Sequence, residues 1–67
     1  MVKVKDMSMV RDENGNELFC ADAEHECLLW CKMNNITGAN GEYVVSGLFY
    51  PYDKYFHAMD YVWIIEW

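Results

Sequence analysis

Three cysteines and two histidines carry the most versatile chemistry in this chain. Cys20, Cys27 and Cys31, joined by His25 or His57, offer the nitrogen and sulfur ligands that zinc takes in tetrahedral sites. Cys27 and Cys31 lie four residues apart, so a helix puts both thiols on one face. The spacing Cys20-x6-Cys27-x3-Cys31 nevertheless lacks the C-x2–4-C knuckle of small zinc domains. The two cysteines flank Trp30 on an apolar stripe, and free cysteine is among the most buried residue types. Core packing is therefore expected, with no metal and no other cofactor. His25-Glu26 opens like the H-E-x-x-H signature of zinc proteases, but position 29 is Leu. No spacing sets a base or an oxyanion donor beside a thiol, and no glycine-rich stretch is built to cradle phosphate. An enzyme is not expected.

The carboxylates are distributed unevenly. Asp12, Glu13, Glu17, Asp22, Glu24 and Glu26 fall in a stretch without Lys or Arg, and the whole chain carries a net charge of −6. The remaining acids are matched by the five basic residues. Part of this pattern is an ordinary solvated surface plus charge that favours a helix N-terminus. The functional reading is a carboxylate surface that meets Lys and Arg on another protein, imitating a row of phosphates. The same charge disfavours direct contact with nucleic acid or an anionic membrane.

Aromatic residues are the second surface signal. The chain holds three Trp, five Tyr and three Phe, more than one short helix can cover. Tyr and Trp are common interface anchors. The expected partner-binding residues are Asp12, Glu13, Glu17, Glu24 and Glu26 on the acidic side, with Tyr61 and Trp67 on the aromatic side.

These residues need elements to hold them. Sixty-seven residues with an apolar fraction of 54% make a single small folded domain, 1–67. Asp22 to Met33 is the clearest helix: Ala23, Cys27, Trp30, Cys31 and Asn34 follow a 3.6-residue period, and Leu28 and Met33 widen that face. Trp30 is the expected anchor at its centre. Asp22 is the expected N-cap, and Asn34-Asn35 the left-handed stop. Leu29, His25 and Lys32 should point outward.

Val2 to Arg11 reads as a strand whose phase slips near Asp6, suggesting a bulge. Asp12 to Asn16 is a hairpin turn around Asn14-Gly15, returning as a strand over Glu17 to Ala21. A polar loop follows the helix from Asn34 to Gly41. Glu42 to Tyr50 is the third strand, with Gly47 marking a bulge or close approach. Pro51 to Lys54 is a turn. Tyr55 to Asp60 fits a loop or an early strand start, and Tyr61 to Trp67 is the fourth strand, apolar on both faces as a central strand, or one covered on both sides, would be. The order β-β-α-β-β implies an α+β fold, a four-stranded antiparallel sheet with one helix packed on one face.

An odd number of cysteines argues against a closed disulfide framework and for a reducing, cytoplasmic setting. The first residues lack the apolar core of a signal peptide. The longest apolar run, Tyr61 to Ile65, is too short to span a bilayer. In size, acidity and want of a catalytic motif the chain resembles phage-encoded inhibitors of host defence or nucleic-acid enzymes, including anti-CRISPR proteins. That resemblance is one of character and rests on no shared motif. It implies a basic, nucleic-acid-binding host protein as partner and the host cytoplasm as location. The alternative is a structural module that forms a homodimer through an aromatic sheet face, so that monomer and homodimer both remain open.

Overall fold

The computed structural model describes residues 3–62 and residue 64. Four strands and one helix follow in the order β1 (Lys5–Arg11), β2 (Glu17–Ala21), α1 (Glu24–Met33), β3 (Tyr43–Tyr50) and β4 (Tyr55–Val62). All strand pairs are antiparallel, and the spatial order is β2-β1-β3-β4. Two hairpins thus lie side by side. The chain leaves the edge strand β2 and must return across β1 to begin β3. The helix makes that crossing, which is why it packs against β1, β2 and β3.

The first hairpin is set by its turn. Gly15 has φ of 83°, a conformation costly for any residue with a Cβ. Asp12 accepts hydrogen bonds from the backbone amides of Asn14 and Asn16, each at 2.9 Å, and from the Asn16 side-chain amide at 3.2 Å. These bonds, led by the Asn16 backbone amide, hold the Asp12 carboxyl below its ordinary value.

The helix begins later than its sequence suggests. Ala23 occupies the N-cap position, and no side chain caps the first turn. Asp22 instead lies 3.9 Å from the ammonium of Lys5 on β1. Glu24 and Glu26 still place negative charge at the positive end of the helix dipole, and Lys32 sits at the other end. The stop is as expected. The Asn34 side chain donates to the Trp30 carbonyl at 2.8 Å, Asn35 turns left-handed with φ of 57°, and the Ile36 amide bonds the Cys31 carbonyl at 2.8 Å.

Cys27 and Cys31, both fully buried, form the centre of the helix face. They meet Val10, Val44 and Ile64, with Phe19, Ala21, Leu28, Trp30, Ile36 and Val62 packed around them. Trp30 sits at the margin, not the centre. It stacks on Phe19 of β2 with ring centroids 5.0 Å apart and planes 7° from parallel. Leu29 points to solvent as expected. Met33 does too, at 75% exposure, so it does not widen the buried face.

Two strand expectations need correction, and one open reading is settled. No slip occurs at Asp6, since β1 pairs with β3 without a break from Lys5 to Arg11. The irregularity lies against β2, where Val10 pairs with Phe19 and Arg11 with Glu17, leaving Leu18 as the extra residue. β4 begins at Tyr55, so the segment 55–60 takes the early strand start, one of the two readings open to it. It lies at the edge of the sheet, not the centre. Trp63, Ile65 and Trp67, assigned to the end of this strand, fall outside the described residues.

Gly47 meets both expectations placed on it. The β3–β4 register shifts there, with Ser46 opposite Asp60, Gly47 opposite Ala58, and Met59 as the extra residue. A Cβ at Gly47 would collide with the backbone carbonyl of His57.

The sheet face away from the helix is not bare. Met9 and Val45 lie on it and are buried. Arg11 pairs with Tyr43, whereas Phe56 pairs with Phe49 six residues along β3, about 20 Å away in a flat sheet. The Arg11 guanidinium carbon is nonetheless 5.4 Å from the Phe56 ring centroid. The sheet therefore curls toward this face, and the bulge beside Gly47 supplies a bend.

Candidate functional site

The expected acidic residues divide into two groups, at opposite ends of β2. Asp12, Glu13 and Glu17 lie at the hairpin end, and Asp22, Glu24 and Glu26 at the helix start. The five residues of β2 separate the groups by about 16 Å. Within the hairpin group, Asp12 is occupied by the turn it holds. Glu13 is exposed, and its Cβ packs close to Gly41 in the loop after the helix. Glu17, Glu24 and Glu26 are exposed.

Pairing of distant strands adds two carboxylates that their place in the sequence did not single out. Asp6 on β1 and Asp60 on β4 join Asp22 and Glu24 around a groove of about 320 Å³ beyond the helix N-terminus. Its lining includes Ser8 and Ser46, whose hydroxyls are hydrogen-bonded at 2.8 Å, and Met7, Gly47 and Met59. Asp6 and Asp60 are brought together by the pairings Ser8–Ser46 and Ser46–Asp60. Only the strand order and the extra residue at Met59 could have revealed that proximity. Among the described residues one ion pair forms, Lys5–Asp22. The other carboxylates of the groove have no cationic partner there.

The aromatic side of the expected site is partly visible. Tyr61 is 66% exposed on β4, and its ring lies 5.7 Å from that of Tyr43 at an angle of 46°. Trp67 lies outside the described residues. Tyr55 and Met59 are also exposed on this edge strand.

The three thiols are divided between surface and core. Among the described residues no cluster of three His, Cys, Asp or Glu side chains is placed to hold a metal ion. Cys20 is exposed and Cys27 and Cys31 are buried, all as free thiols. Burial pushes the Cys27 thiol up to about 11 from an ordinary 9.0, and the neighbouring Cys31 and Cys20 add to the shift. Burial also raises Cys31. A nucleophilic cysteine needs the opposite shift.

The sign gives a stability test. The thiolate of Cys27 is disfavoured in the fold, so the unfolded chain loses its proton first. Its contribution is complete below the ordinary 9.0 and is lost as pH rises toward about 11. Urea midpoints measured from neutral pH to pH ~11 should fall more steeply for the parent than for Cys27→Ala. Parallel curves would show that Cys27 ionises equally in both states.

Fold and surface together define a small α+β domain: a four-stranded antiparallel sheet with one helix against it and a carboxylate-lined groove at one end. No helix among the described residues is long and apolar enough to cross a membrane. No protein-family model, curated protein or solved structure matches the chain.

Proposed function

We propose that this protein is a non-enzymatic inhibitor that acts by binding a basic protein. Its carboxylates would occupy a surface that the partner otherwise offers to nucleic acid. A phage-encoded inhibitor of a host defence or nucleic-acid enzyme is the kind of protein this describes, acting in the host cytoplasm. The observation that carries the reading is the groove lined by Asp6, Asp22, Glu24 and Asp60, where the described residues form a single weak ion pair. Carboxylates that no cation among the described residues pairs produce a field that steers a cationic surface. The hairpin group, chiefly Glu13 and Glu17, lies far enough away to touch a second row of cations. A homodimer through the edge beside Tyr55, Met59 and Tyr61 is the competing reading, favoured by the exposure of those side chains.

The test compares baits in nuclease-treated bacterial lysate. The parent is set against a groove variant (Asp6→Asn, Glu24→Gln, Asp60→Asn) and a hairpin variant (Glu13→Gln, Glu17→Gln). The parent should retain a nucleic-acid-binding protein that salt elutes and a DNA duplex displaces. With that purified protein, the groove variant should associate about tenfold more slowly at low salt, a difference that shrinks as salt rises. Equal association by parent and groove variant would remove the groove from the binding surface. Retention of no nucleic-acid-binding protein, together with a dimer by light scattering, would favour the competing reading.

A further inference from the structure

A second groove, of about 410 Å³, lies at the far end of β3, where this strand starts and β4 ends. Its lining among the described residues is Gly38, Gly41, Glu42, Tyr43, Tyr61 and Val62. Two glycines form one wall, Gly38 close against the Ile64 backbone carbonyl and Gly41 against the Glu13 side chain. Both have positive φ, 87° and 92°, so the wall is fixed by backbone conformations that other residues adopt at a cost. Tyr43 and Tyr61 lean together on one sheet face, their centroids 5.7 Å apart and their planes at 46°. Such a pair is too close to hold a group between parallel rings. It forms a V that a flat or compact group can cap while touching both faces. Among the described residues Glu42 is the one charged residue of the lining, and its Oε1 accepts the Asn40 amide at 3.3 Å, which orients the carboxylate.

Two electron-rich rings and a carboxylate lining one groove are complementary to a cation. From this geometry we infer that the groove receives an arginine side chain from a protein partner. The guanidinium fits better than an ammonium, because it is planar, stacks on aromatic faces and meets a carboxylate with paired donors. The groove is separate from the carboxylates at the helix start, and the inference does not depend on them.

The probe is the peptide acetyl-Gly-Arg-Gly-amide, with the citrulline peptide as a neutral control of the same shape and tetramethylammonium as a free cation. Binding is followed by NMR through the Tyr43 and Tyr61 ring protons. The arginine peptide should shift both rings saturably and bind at least about fivefold more tightly than the citrulline peptide. Tyr61→Leu should abolish the difference, Tyr61→Phe should keep it, and Glu42→Gln should reduce it. Tyr61 is exposed, so these variants should stay folded, which their amide spectra will show. Glu24→Gln should leave the affinity unchanged, separating this groove from the acidic one. Equal binding of the citrulline peptide, or no saturable shift, would overturn the inference. Tighter binding of tetramethylammonium than of the arginine peptide would overturn its occupant.

Discussion

Gly47→Ala should leave the protein largely unfolded. The added methyl would meet the carbonyl oxygen of His57, with the His57 carbonyl carbon at 2.8 Å and the Ala58 Cα at 2.9 Å. All three are backbone atoms of the paired strand, so no side-chain rotation relieves the clash. Either β4 moves away from β3 or the bulge at Met59 is lost, and loss of the bulge shifts every pairing from Ala58 to Tyr55. Overpacking of this kind costs about 3 kcal/mol or more, against a total near the low end of ~5–15 kcal/mol for so small a domain. Urea unfolding followed by circular dichroism reads the effect. A midpoint equal to that of the parent would mean that β3 and β4 pair in another register.

Trp30→Ala should destabilise by about 3 kcal/mol, the lower end for loss of a large aromatic side chain, because Trp30 is only half-buried. Much of its contribution is the parallel stack on Phe19, which ties the helix to the edge strand β2. The two residues should therefore be coupled. In the background Phe19→Ala, the further change Trp30→Ala should cost less by about 0.5–1.5 kcal/mol. Trp30→Phe keeps a ring on the stack and should cost much less than alanine. Strict additivity of the two alanine changes in chemical denaturation would contradict the stack.

The elements that carry strong local signals were legible in the sequence. Asp12 to Asn16 announces a hairpin through Asn14-Gly15, and Asn34-Asn35 announces a helix end, because each is settled by a few neighbouring residues. Cys27 and Cys31 were legible as core for a similar reason: a helical period places them beside Trp30. Asp22 misled because its type suits a cap, whereas the fold offers it Lys5 from a neighbouring strand. Tyr55 to Asp60 was ambiguous because an edge strand with one extra residue shows no clean alternation of exposed and buried positions. The groove carboxylates Asp6 and Asp60 are separated by most of the chain, and nothing local predicts their meeting. Composition pointed to acidity, but only strand order distributes that charge over the surface.

The central pair β1–β3 also bears on how the chain reaches this structure. Ser8 and Ser46 meet across 38 residues of sequence, and that pairing must close over the whole β2 and helix segment. The entropy of closing so long a loop is lost before the central contacts repay it. Each hairpin can form by itself, but neither is stable until the other docks. The rate-limiting event is then the meeting of two hairpins with the helix between them, so collapse should be slower than for a helical bundle of equal length. Until they meet, β1 and β3 both present open backbone edges, and the acidity of the chain keeps separate molecules apart during that interval.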